Sequence, residues 1–163
     1  MILKKEQIVW VVLRLSMAWI FLWPFLDKLL GLNFATKAEQ AWILGNSPTT
    51  GFLKFGTHGP FASLFQNMAG SVFVDWLFMI GLLLIGLALL LGIGMRIASY
   101  SGALMLFLMW LALLPPEHNP FLDDHLIYAF IMIGLTFTKA GQWFGFGKWW
   151  ASIPIIKKYK FLE

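Results

Sequence analysis

Between two strongly apolar runs, residues 114–130 read LPPEHNPFLDDHLIYAF. Three carboxylates and two histidines fall in that short stretch. Carboxylates beside imidazoles exchange protons near neutral pH, which is what a site needs when a redox reaction moves protons with electrons. Part of the stretch has a structural use. Pro115 and Pro116 stop a preceding helix, and Asn119-Pro120 favours a turn. Asp123 or Asp124 can cap a following helix, where a carboxylate meets unpaired N–H groups and the positive dipole end. Glu117, His118, one aspartate and His125 are left without a capping duty. His125 and Tyr128 lie one turn apart on the next helix and share a face. Glu117, Asp124 and His125 are therefore candidate proton-handling residues, with Tyr128 beside them. A metal site is the competing use of these side chains, but EHNPFLDDH has no recognisable metal-ligand spacing.

The remaining candidates are cations. Arg14 lies in VVLRLSMAW, inside an apolar run. A buried arginine faces a partner or a ligand by default, here for instance a quinone carbonyl. The alternative is a structural hydrogen-bonding role or snorkelling toward the near headgroups. Lys28 shares the Arg14 face of the same helix. Lys54, and His58 in FGTHGPF, belong to a long loop. Any anion held there needs a local pocket, because the acids on that side outnumber the lysines and the overall field opposes it. The chain has no cysteine, which excludes disulfides, thiolate metal sites and CxxC redox pairs. No nucleotide, flavin or haem fingerprint is present.

The elements that must position these residues are read from composition. Of the 163 residues, 60% are hydrophobic and 12% charged, against about a quarter charged in soluble domains. The apolar runs are long enough to cross a hydrocarbon core, and spanning segments without barrel-like alternation must be helical. The spacing predicts an all-α integral membrane protein of one domain. Its four spans fall at about residues 7–30, 72–93, 97–114 and 122–139. Pro24 is expected to kink the first span or end its regular part. The first run is too long for a cleaved signal and is expected to stay as a span. Short turns and small-xxx-small pairs (Ala88/Gly92, Ala98/Gly102) predict a four-helix bundle. Residues 31–71 are too long and too aromatic for an idle loop. They are expected to form a cap with short helices near residues 37–44 and 61–70. Residues 140–163 form a basic tail.

Basic residues set the expected orientation. With the N-terminus cytoplasmic, Lys4, Lys5, Arg96, Lys139, Lys148, Lys157, Lys158 and Lys160 are inside. Lys28, Lys37 and Lys54 are outside, and with Arg14 in the membrane these account for the 12 basic residues. That bias fits the positive-inside rule and predicts a multi-pass plasma-membrane protein with both termini cytoplasmic. Trp23, Trp76 and Trp110 near the outer boundary, and Trp10 and Trp143 near the inner one, suit an aromatic belt. The net charge of +4 follows from topology and is no nucleic-acid signal.

NPFLDDHLIYAFIMIGL followed by KAGQWFGFGKWW resembles the last-helix signature of the DoxX family of membrane proteins. SPTTGFLKFGTHGPFASLFQ and DWLFMIGLLLIGLALLLGIGMRIASYSG are similar to its DoxD-type members, the large subunits of thiosulfate:quinone oxidoreductase. The resemblance implies a four-helix membrane protein that oxidises thiosulfate to tetrathionate outside the membrane and passes electrons to quinone. It also implies a small second subunit. The shared positions would fall on Arg14, Lys28, Asn119, Pro120, Asp124, His125 and Tyr128. Substrate would sit near Lys54, His58 and His125, with quinone entering from lipid. The alternative is a non-enzymatic anchor or assembly subunit that holds a redox partner through the cap or the basic tail, alone or as a homo-oligomer. That tail also suits anionic lipid. A small transporter is disfavoured, since no broken-helix pair is present.

Overall fold

The structure, a computed structural model, describes residues 3–163. Every regular element among them is helical. In chain order the α-helices are α1 (Lys5–Leu30), α2 (Ala62–Gln66), α3 (Val72–Leu91), α4 (Met95–Ala112), α5 (Asp124–Thr138), α6 (Gly147–Ser152) and α7 (Pro154–Lys158). Helices α1, α3 and α4 are long and apolar enough to cross a membrane. At 1.5 Å per residue they reach about 39, 30 and 27 Å. Helix α5, expected as a fourth span over residues 122–139, has 15 residues and reaches about 22 Å, short of the roughly 30 Å hydrocarbon core. Its limits are local. The Asp123 carboxylate accepts from the Leu126 N–H at one end, and Lys139 turns into the left-handed region (φ 53°) at the other. Helix α1 is continuous through Pro24 to Leu30, so the proline does not end it, although it leaves the Ile20 carbonyl without its helical donor.

Helix α1 packs on α3 and α4 on α5, while α3 meets α4 and α1 meets α5. Met17, Phe21, Met79, Leu89, Met132 and Leu135 fill the space between them. Glycines set the spacing. A Cβ on Gly86 would lie 2.6 Å from the Leu22 side chain. One on Gly102 would press into Met132 and Phe21, so the small residues let backbones approach. The outward faces carry large apolar side chains such as Val12, Trp19, Leu84, Leu104 and Phe130. Contiguous exposed apolar surface of that kind is the mark of a lipid or protein environment.

Residues 31–71 form the cap through turns of helix at Ala38–Gln40, Trp42–Leu44 and Phe52–Gly56, followed by α2. Two buried aspartates tie it down. Asp27 accepts from the Phe34 and Ala35 N–H groups at 3.2 and 3.0 Å. Asp75 accepts from the Ser47 and Thr49 hydroxyls at 2.8 and 2.5 Å. Trp42 packs edge-on to Trp76 at 4.7 Å, and Leu53 and Phe65 bury against Ala112. Asp75→Ala is expected to cost about 2 kcal/mol, because the buried Thr49 hydroxyl and the half-buried Ser47 hydroxyl lose a charged acceptor. Thermal unfolding and limited proteolysis within residues 45–52 check this. An unchanged cleavage rate would mean that the cap is held by its aromatic contacts alone.

The segment after α5, expected as a tail, folds back across the α3–α4 turn. The Phe146 N–H donates to the Leu91 carbonyl at 2.8 Å, and the Arg96 N–H donates to that of Glu163 at 2.8 Å. The physical reason is a glycine contact that lets two backbones touch. A Cβ on Gly141 would lie 2.5 Å from the Gly92 carbonyl oxygen. The end holding this contact and the start of α1 is called the terminal end below; the opposite end, at the α4–α5 loop and the cap, is called the lip.

Candidate functional site

The lip is built by turn chemistry. Helix α4 ends at Ala112, and the Leu114–Pro115 peptide that follows is cis. The Asn119 side-chain oxygen accepts from the Phe121 and Leu122 N–H groups, both at 2.9 Å, bridging Pro120. The Trp110 indole N–H donates to the Phe121 carbonyl at 2.8 Å. These bonds deliver the chain to Asp123 in extended backbone, ready to cap α5.

Asp123 then serves two groups. Its Oδ1 accepts from the Leu126 N–H at 3.0 Å. Its Oδ2 lies 2.8 Å from His125 Nδ1, and the two side chains are 16% and 27% exposed. The pairing follows from helix geometry, because a residue at the second helical position projects back toward the N-cap side chain. A carboxylate on Nδ1 fixes the ring and leaves Nε2 free to accept or donate a proton. Tyr128 is half-buried one turn along, against the core. Asp124, next to Asp123 in the chain, and Glu117, earlier in the α4–α5 loop, are both exposed to solvent.

His58 reaches the same lip from the cap. Its Nε2 contacts the Pro115 carbonyl at 3.0 Å, and its backbone N–H donates to that of Ala112 at 3.2 Å. Gly59 is required there, since a Cβ would collide with the Leu114 carbonyl and the backbone has φ 75°. His58 and His125 are thus held on one lip by separate loops. Lys54 lies apart, its ammonium 5.6 Å from the Phe55 ring centre on an exposed turn. Lys28 is half-buried near the lip end of α1, next to Asp27.

Arg14 belongs to the other end. It is fully buried; Nη1 donates to the Ala140 carbonyl at 3.4 Å and Nη2 to that of Phe144. Gly92 and Gly145 leave room for the guanidinium. It therefore sits where α3 and α5 both end, at the negative poles of two helix dipoles. That accounts for a buried cation without a carboxylate. The length of α5 separates Arg14 from His125 by about 20 Å, so one ligand ring cannot touch both. Arg14 Nε and the Thr136 hydroxyl are buried without a hydrogen-bond partner among the described residues. Thr136 borders a pocket of about 20 Å³ with Gly92 and Glu163, room for one water.

Among the described residues no group of three or more His, Asp or Glu is placed to hold a metal ion. The sequence left open whether Asp123 or Asp124 caps the helix and put Asp124 beside His125, whereas Asp123 both caps the helix and pairs with His125. The Asp-x-His spacing at a helix start is the signal that could have found it. No protein-family model, no curated protein and no solved structure matches this chain.

Proposed function

We propose that this chain is a four-helix plasma-membrane protein of DoxX type, with both termini cytoplasmic, and that it is the membrane subunit of a quinone-linked oxidoreductase. In this reading α5 completes the bilayer crossing with the apolar residues that precede it at the lip, Phe121 and Leu122, both of them exposed. The DoxD-like reaction is the specific form proposed. Two thiosulfates lose one electron each to give tetrathionate, and a quinone gains two electrons and two protons. The Asp123–His125 contact of 2.8 Å at the lip is the observation that carries the reading. It supplies an oriented imidazole for the proton side of that balance. Asp124 and Glu117 would relay protons to water, and His58 would flank the anionic substrate. Arg14 is not given a ligand role, because two backbone carbonyls already occupy it.

Membranes containing this chain test the reading through thiosulfate-dependent reduction of a soluble quinone. His125→Ala is expected to lower the rate about 100-fold or more, the usual worth of a positioned acid–base group. Asp123→Asn keeps the helix cap, and the drop it causes is expected to be smaller. Equal rates for His125→Ala and the parent chain would remove the lip from the chemistry.

The non-enzymatic anchor is the second reading, and one observation favours it. The buried charges Arg14, Asp27 and Asp75 are all engaged with the fold's own backbone or hydroxyls. A well-folded chain that shows no turnover but co-purifies with a stoichiometric redox partner would establish it.

A further inference from the structure

We propose that residues 147–162 form a seat for acidic phospholipid. The proposal rests on the membrane reading and not on the redox one. The segment is a fixed plate. The Trp150 indole N–H donates to the Leu162 carbonyl at 2.7 Å, and the Gln142 side-chain amide to a Glu163 carboxylate oxygen at 2.5 Å. Ile156 is buried beneath it. The outer surface of the plate mixes two chemistries. Trp149, Ile155 and Phe161 are each more than half exposed. Lys157, Lys158 and Lys160 are exposed beside them, with the Lys158 ammonium 5.4 Å from the Tyr159 ring centre.

Helices of six and five residues cannot cross a bilayer, so the plate lies along it. It is stapled to the ends of α3 and α4, which places its rings at headgroup depth, where aromatic side chains settle. Charge selects the headgroup. The terminal end holds nine of the 12 basic residues, the buried Arg14 among them, and two of the eight acids, Glu6 and Glu163, and the Glu163 side chain is already taken by Gln142. Zwitterionic lipid would cover the rings but leave the lysines without counter-charge. An acidic soluble protein would meet the lysines but leave Phe144, Phe146 and Trp149 in water. An acidic phospholipid satisfies both, through its phosphate and its acyl region.

The purified full chain in nonionic detergent is titrated with phosphatidylglycerol or phosphatidylcholine of matched acyl chains, with unfolding followed by tryptophan fluorescence. Phosphatidylglycerol is expected to reach half of its stabilising effect at a concentration about tenfold lower, and about 0.5 M salt should erase that preference. K157Q/K158Q/K160Q should bring the two lipids level. K157R/K158R/K160R, and the lip-side pair K37Q/K54Q, should keep the preference. Equal effects of the two lipids on the parent chain, or a preference that survives the triple glutamine variant, would overturn the proposal. Stabilisation by polyglutamate as strong as by phosphatidylglycerol would also overturn it, in favour of an acidic protein partner. If neither lipid stabilises the chain, the membrane reading falls and the lipid seat with it.

Discussion

Gly147→Ala is expected to open the terminal end of the molecule and cost about 3 kcal/mol, the upper range for forcing atoms into a filled space. The added Cβ would lie 2.6 Å from the Gly92 carbonyl oxygen and closer still to that of Gly141. Both obstacles are backbone, so no rotamer change relieves them. The α6 start must lift, and the Phe146 N–H bond to Leu91 goes with it. Gly51→Ala is the matched control. Nothing stands within 4 Å of its Cβ position, and its backbone is already right-handed helical, at φ −59° and ψ −49°. That change is expected to be neutral or to stabilise by about 0.5 kcal/mol through the unfolded chain. Thermal unfolding of both variants in detergent gives the comparison. Equal midpoints for Gly147→Ala and the parent chain would show that the terminal plate is loosely attached.

The glycines of KAGQWFGFGKWW were legible as a motif, but what they touch was not. Gly141 and Gly147 pack on the α3–α4 turn about fifty residues earlier in the chain, and close backbone approach leaves no trace in the partner's side chains. The long helices were legible for the opposite reason. Their apolar runs are local and end at punctuation such as Gly31, Gly92 and Pro115. The α5 region shows the limit of reading length from hydropathy. Residues 122 and 139 are apolar or tolerable in a helix, yet Asp123 starts the helix and Lys139 stops it. Asp27 and Asp75 are acids within apolar runs, and each is absorbed by loop groups with no pattern of their own. At the lip, the residue types were legible and the pairing was not. The surplus of Asp and His pointed to the site, and only the cap geometry showed which aspartate serves His125.

Arg14→Met is expected to destabilise the protein by about 3 kcal/mol even though it removes a buried charge. Relief of the charge works the other way, because an arginine within a bilayer costs roughly 2.5–3.5 kcal/mol on insertion scales. Here, however, the cation already rests on the Ala140 and Phe144 carbonyls, both in the segment that follows α5, and these offset that cost. Methionine strands both acceptors, at about 1–3 kcal/mol each, and loosens the contact of α1 with residues 140–144. Lysine keeps the charge but not the planar fork, so it can serve one carbonyl well and leaves the other poorly served. Arg14→Lys should therefore recover about half of the loss. Arg14→Gln, which keeps donors without charge, should recover less if the helix dipoles matter. Unfolding midpoints rank the three variants. The same proteins, assayed for quinone binding, separate a structural arginine from a ligand arginine. A structural arginine predicts lost stability, with quinone affinity unchanged in whatever fraction remains folded. Full stability with weakened quinone binding would instead return Arg14 to the site, and would require the Ala140 and Phe144 carbonyls to release it when ligand arrives.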